Sequence, residues 1–279
     1  MDVSQPIVFW TDATFASMLD FYPHLTHLVG RSIREGHRME GMALRKTALS
    51  IYSSTWAAES AIRDYGADPS RVHVVPFGAN LLEEPATAEV ERLVESRSGE
   101  RCRLLFLAAG WARKGGDQAV GVATQLNALG LPTKLVVVGC RPPPGTSLPP
   151  FVSLEGFIDK RAYDGRARLA QLMGTSHFLV LPTTADATPI AFSEAAAFGL
   201  PVLTTDVGGN STIIRQGVNG ALFPLDADTS AWCDFLLDAF SDGVAYRRMA
   251  RASRGEYESR LNWRTAGERV RSLLMTVLE

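Results

Sequence analysis

Two stretches of the chain carry residue types that could do chemistry. The first is Gly110-Trp111-Ala112-Arg113-Lys114-Gly115-Gly116-Asp117, set between the apolar run LLFLA and an amphipathic stretch from about Gln118 to Leu129. Two adjacent cations and a glycine pair at the start of a helix make an anion site. Free backbone N–H groups, the helix dipole and a guanidinium all favour negative charge there, and phosphate is the obvious guest. The same residues also read as a solvated basic turn with a glycine N-cap. The second stretch runs from Pro182 to Gly199, PTTADATPIAFSEAAAFG. It places Asp186 in a loop after an apolar run ending at Leu181, and starts a small-residue helix near Pro189, since proline suits a first turn. Glu194 falls inside that helix between alanines and aromatics. A carboxylate buried there needs polar partners; the alternative is a solvent-facing helix residue.

Other candidates are weaker. Trp10-Thr11-Asp12-Ala13-Thr14 follows the apolar run PIVF, so Asp12 reads either as a polar group at a strand's carboxyl end or as a helix N-cap. Ser53-Ser54-Thr55-Trp56 reads as another strand-to-helix turn. Asp206-Val207-Gly208-Gly209-Asn210 reads as a structural turn, and Asn219-Gly220 as a tight turn into a strand. The five histidines, His24, His27, His37, His73 and His177, show no metal-ligand spacing, so no metal site is expected.

These residues need elements to hold them. Short β-rich runs alternate with amphipathic stretches, which predicts an α/β fold of βα units on parallel sheets. The predicted strands are Ile7–Thr11, Leu49–Ser53, Val72–Phe77, Arg103–Ala108, Lys134–Gly139, His177–Leu181 and Pro201–Thr204. A boundary is expected across Glu83 to Arg101, which is charged and lacks the periodicity of a core element. Arg141 to Pro150, RPPPGTSLPP, reads as a stiff loop. Two helices are expected at the end. One spans Tyr246–Arg260; the other spans Asn262–Leu278, with Asn262 as cap and Trp263, Val270 and Leu274 on one face.

Composition bounds the function. The 279 residues are 46% hydrophobic and 21% charged, which predicts about two domains with real cores and excludes a disordered regulator. The 28 Lys+Arg nearly balance 30 Asp+Glu, for a net charge of −2. No global basic field marks a nucleic-acid binder, and any anion site must be local. The three cysteines, Cys102, Cys140 and Cys233, fit neither a disulfide framework nor a zinc cluster, so a reducing cytoplasm is the expected location. The opening residues carry an acid at Asp2 and no basic region before a long apolar stretch, so they do not read as a secretory leader. No apolar run could span a bilayer; peripheral membrane contact stays open.

In order, GWARKGG, VVVGCRPPPG, LEGFIDK and LPTTADATPIAFSEAAAFGLPVLTTDVGGNSTIIRQGVNGALF resemble the carboxy-terminal nucleotide-sugar domain of family 4 retaining glycosyltransferases. The resemblance covers about Leu104 to the end, and the preceding segment is similar to the end of the acceptor-side domain. It implies the GT-B fold, two Rossmann-like domains facing a cleft. The implied division is an acceptor-side part over 1–80, a linker over 81–102, a nucleotide-sugar domain over 103–260 and a helix over 261–279 returning toward the first part.

By the same resemblance, Arg113 and Lys114 bind the donor diphosphate. The family's arginine usually stands several positions earlier, where this chain has Ala108-Ala109, so Arg113 must substitute. Asp186 and Glu194 take the two places of the family's acidic pair, with Glu194 accepting from ribose hydroxyls and Asp186 facing the donor sugar. Thr188-Pro189-Ile190 replaces a Gly-Phe-Gly turn, and proline removes one N–H donor. Gly110, Arg141 and Phe157 complete the expected donor site, Phe157 lying where the nucleobase packs; the alternative for Phe157 is an ordinary core aromatic. Asp12 is the acceptor-side candidate, and Thr11 stands where related enzymes often place a histidine.

The expected activity is metal-independent, retaining transfer from a nucleoside-diphosphate sugar to a glycan, lipid or small-molecule acceptor, with no other cofactor. The rival is a catalytically inactive nucleotide-sugar-binding fragment or subunit that needs a missing N-terminal half. A missing half-domain is expected to leave apolar sheet edge exposed, so that the chain self-associates unless a partner covers it. A dinucleotide-dependent oxidoreductase is disfavoured, because no G-x-G-x-x-G follows a first strand.

Overall fold

A computed structural model describes residues 4–97 and 99–278; Asp2 lies outside them. Among the described residues, nine strands form two parallel sheets. The first sheet, ordered β1-β2-β3, contains β1 (Ile7–Thr11), β2 (Thr47–Tyr52) and β3 (Val72–Val74). The helices α1 (Phe15–Met18), α2 (Gly30–Lys46) and α3 (Thr55–Tyr65) accompany it. β3 is shorter than the predicted Val72–Phe77. Val75 still donates its N–H to Tyr52 at 2.8 Å, but Pro76 has none to donate and the ladder stops.

The second sheet, ordered β6-β5-β4-β7-β8-β9, is larger. Its strands are β4 (Cys102–Leu107), β5 (Thr133–Val138), β6 (Val152–Gly156), β7 (Phe178–Leu181), β8 (Val202–Thr205) and β9 (Gly220–Phe223). The remaining helices are α4 (Thr87–Ser96), α5 (Gly116–Ala128), α6 (Tyr163–Thr175), α7 (Ile190–Ala197), α8 (Asn210–Ile213), α9 (Thr229–Ser241), α10 (Gly243–Arg260) and α11 (Trp263–Leu278). Central strands read as nearly continuous apolar runs because helices cover both faces of the sheet. Leu104, Phe106, Phe178, Phe192 and Trp232 are fully buried in one core.

The strand order sets the place for a ligand. β4 pairs with both β5 and β7, through Leu104↔Leu135 and Leu104↔Phe178. The winding reverses between β4 and β7, so the loops leaving their carboxyl ends diverge and open a crevice. Those loops are 108–115 and 182–189.

Two expectations need correction. Glu83 to Arg101 is not devoid of core structure: α4 buries Val90 and Val94 against the main core. The following Arg97 donates to the carbonyls of Phe198 and Gly199 at 2.8 and 2.6 Å. The buried face of α11 agrees with the expected one at Val270 and differs at Leu274. Asn262 does cap it, accepting from Thr265 N–H at 2.9 Å, but Ala266, Val270, Leu273 and Val277 are the residues packed against Leu49, Ile51 and Val75. Leu274 remains partly exposed, while Trp263, though part of its ring faces solvent, stacks on Phe77 and meets Trp10 edge-on, each at 5.7 Å. Among the described residues, no helix is long and apolar enough to cross a membrane.

Candidate active site

The loop after β4 is held by the loop after β7. Thr184 donates its N–H to the Arg113 carbonyl at 2.8 Å, and the Arg113 guanidinium returns a 2.5 Å bond to the Ala185 carbonyl. Gly115 makes this approach feasible. It sits at φ +77°, and a Cβ there would collide with the Pro182 carbonyl. Lys114 then reaches Asp186, 72 positions away, in an ion pair with both side chains nearly buried. Burial lowers the Lys114 pKa; Asp186 opposes that fall and Arg113 adds to it.

The first sheet's side of the molecule meets the same loop. Tyr22 accepts the Ala187 N–H at 2.8 Å, and its ring lies 5.7 Å from the Arg113 guanidinium carbon. Ser53 Oγ and Thr188 Oγ1 are 2.5 Å apart, and Thr55 donates its N–H to Thr212 Oγ1 at 2.9 Å. Gly208, at φ +55°, lies so close that a Cβ would strike the Asp186 carbonyl. Asp12 is exposed at the carboxyl end of β1. It does not cap α1: Thr14 does, accepting from Ser17 N–H at 3.1 Å.

A second group of residues lines an open cleft of about 320 Å³ beside this loop pair. Ala108 and Ala109 form its β4 edge, Gly139 its β5 edge, and Phe157, Ile190 and Glu194 face it. Phe157 is 80% exposed, so it is no core aromatic. Glu194 is only 1% exposed and is therefore no solvent-facing helix residue. Lys160 Nζ lies 2.6 Å from each of its carboxylate oxygens. Burial raises the Glu194 pKa and the Lys160 ammonium pulls it back.

Two clusters thus flank the loop 186–190. Arg113, Lys114 and Asp186 gather at one end with Tyr22; Ile190 and Glu194 face the cleft with Phe157 and Lys160. Thr188 faces the first sheet through Ser53, and Pro189 is the N-cap residue of α7. Gly110 is half-buried at the turn leaving β4, with open space where a side chain would stand. Arg141 is exposed and stands outside the residues lining the cleft.

Within the segment 186–190, the Ala187 N–H is taken by Tyr22. Sequence reasoning passed over Tyr22 and Lys160. Tyr22 sits in the aromatic run FYPHL, which carries no polar spacing to mark it, and Lys160 ends a segment whose only evident signal was its Gly-Phe. Among the described residues, no group of three or more His, Cys, Asp or Glu could hold a metal ion.

Two parallel-sheet α/β units and a crevice at the reversal of strand order, with cations and a buried acid at its rim, make up an architecture of the GT-B type. The chain belongs to the family "Glycosyl transferases group 1", which matches residues 101–242, 142 of its 279 residues. A D-inositol 3-phosphate glycosyltransferase of Xylanimonas cellulosilytica is 31% identical over 228 residues, covering 76% of this chain and 53% of that protein. Its counterpart in Catenulispora acidiphila is 27% identical over 241 residues, covering 82% and 57%. The chain spans about half the length of these curated relatives. Among solved structures, sucrose-phosphate synthase from Thermosynechococcus elongatus superposes with a TM-score of 0.71 at 17% identity, over 97% of this chain and 67% of that one. HepE of Anabaena, solved with UDP-glucose, gives 0.69 at 16% identity, over 98% and 72%.

Proposed function

We propose that the chain binds a nucleoside-diphosphate sugar and transfers the sugar to an acceptor with retention of configuration. The observation that carries this reading is the cleft where the strand order reverses, with exposed Phe157 on one side and buried Glu194 on the other, in a chain of this family. Phe157 would stack on the base and Glu194 would accept hydrogen bonds from the ribose hydroxyls. The diphosphate would then extend toward Arg113 and Lys114.

Glycosyl transfer through an oxocarbenium-like state gains most from neutralising the departing phosphate oxygen. Arg113 and Lys114 would supply that charge, so the reading needs no metal and no further cofactor. Asp186 would face the donor sugar and exchange part of its hold on Lys114 for the incoming diphosphate. The acceptor would enter from the side of Asp12 and Tyr22, by the principle that transfer needs both substrates held in one geometry. A reducing cytoplasm suits the three free cysteines.

UDP-glucose, bound in HepE, is the first donor to try, and an inositol phosphate, named in the relatives, the first acceptor. The test is incubation of the chain with both, following nucleoside diphosphate release and the anomeric configuration of the product by NMR. Retained configuration with turnover supports the reading. Inverted product overturns the retaining assignment, and binding without donor consumption supports the inactive alternative.

A further inference from the structure

Lys160 stands in the turn after β6 and belongs to none of the expected donor contacts. Its Nζ bridges Glu194, 2.6 Å from Oε1 and 2.6 Å from Oε2. The carboxylate is buried and the lysine side chain is 44% exposed, so the ammonium reaches in from the solvent side of the cleft. Lys160 lines the cleft and also a smaller neighbouring cavity of about 140 Å³, bounded by Leu81, Leu169 and Phe198. That cavity gives the flexible four-carbon stem room to withdraw. The acid adjacent in sequence, Asp159, is engaged by Arg161 at 3.0 Å, and Glu83, across the smaller cavity, lies 3.4 Å from Arg166.

A vicinal diol grips a carboxylate with one hydroxyl on each oxygen, and an ammonium bridging both oxygens uses the same edge. We propose that Lys160 is a specificity-determining residue of the nucleotide site: its ammonium competes with a ribose diol for both oxygens of Glu194, so a ribonucleoside diphosphate binds by exchanging this ion pair for two hydroxyl hydrogen bonds. The inference rests on Glu194 being the ribose acceptor in the function proposed above. It makes Lys160 a selective brake. A nucleotide with a diol must displace it, and one without a diol leaves it in place.

The experiment is calorimetric titration of the full chain at pH 8.5 with UDP and with 2′,3′-dideoxyuridine diphosphate, comparing wild type, Lys160→Met and Lys160→Arg. Removing a charged competitor from a buried carboxylate should tighten UDP binding about tenfold in Lys160→Met. Dideoxy binding should stay within about twofold, and Lys160→Arg should restore the wild-type affinity for UDP. An equal shift for both nucleotides, no shift, or weaker UDP binding would overturn the exchange. If the wild-type chain binds neither nucleotide, the nucleotide-site reading itself fails. Lys160→Met takes the ammonium from a buried carboxylate and should lower the melting temperature, so thermal melts confirm that each variant is folded at the titration temperature.

Discussion

The Tyr22 hydroxyl accepts the Ala187 N–H at 2.8 Å, tying a segment that precedes α2 to the loop that carries Asp186. One side chain therefore links the first sheet's side of the molecule to the ion pair of Lys114 and Asp186. Its pKa is raised, mainly by burial, so it stays a neutral phenol through the physiological range.

Tyr22→Phe keeps the ring beside Arg113 and removes the acceptor for a buried N–H. Leaving such a donor unsatisfied costs roughly 1–3 kcal/mol. Urea unfolding should show a loss in that range, together with weaker nucleoside diphosphate binding. Unchanged stability and affinity would mean that the loop does not depend on Tyr22.

Phe157→Ala tests the base platform. The ring is 80% exposed, so its loss should leave the melting temperature within about a degree, given how little surface substitutions usually matter. Nucleoside diphosphate binding should weaken by roughly 1–3 kcal/mol, the worth of stacking a base on an aromatic. Pyrophosphate binding should not change. Equal weakening of both ligands would place the base elsewhere.

The cation pair has a parallel test. Arg113→Ala and Lys114→Ala should each weaken nucleoside diphosphate binding by about 1.5–3 kcal/mol, the range for a charged hydrogen bond. Calorimetry showing unchanged affinity in both variants would remove them from the diphosphate site.

How far the sequence reveals this arrangement depends on the signal each residue leaves. The alternating strands are legible because buried parallel strands leave runs such as LLFL and LVVV, whereas the switch between β4 and β7 is a matter of strand order, which no local run encodes. Asp186 and Glu194 are the only acids between Leu181 and Gly199, and their spacing gains meaning from the family resemblance. Lys160 does not, because an isolated lysine after a strand looks like any solvated turn. Phe157 could be read as core, since only the packing of β6 at the sheet edge decides its exposure. α4 is hard to read because charges crowd the whole segment from Glu83 to Arg101, yet Val90 and Val94 suffice to bury one face of the helix in the main core. The tie from Tyr22 to Ala187 spans 165 positions, and no local pattern encodes it.

Lys114 gives a pH prediction. Its folded-state pKa is lowered, chiefly by burial, so between that lowered value and its ordinary 10.5 the unfolded chain binds more protons than the folded one. Stability contributed by this group therefore rises with pH across that window. The unfolding free energy of wild type relative to Lys114→Met should increase as pH is raised toward about 10.5. A difference that stays flat or falls would mean that Lys114 is not buried as described.

The central claim is that Glu194 reads the ribose of a nucleotide in this cleft. The direct measurement is titration of nucleoside diphosphate and of pyrophosphate into wild type and Glu194→Gln. Glutamine keeps the shape but loses the charge and half of the acceptor capacity. The account predicts that wild type prefers the nucleotide, and that the variant loses this preference while its melting curve stays cooperative. A Glu194→Gln chain that distinguishes the two ligands as well as wild type does would contradict it.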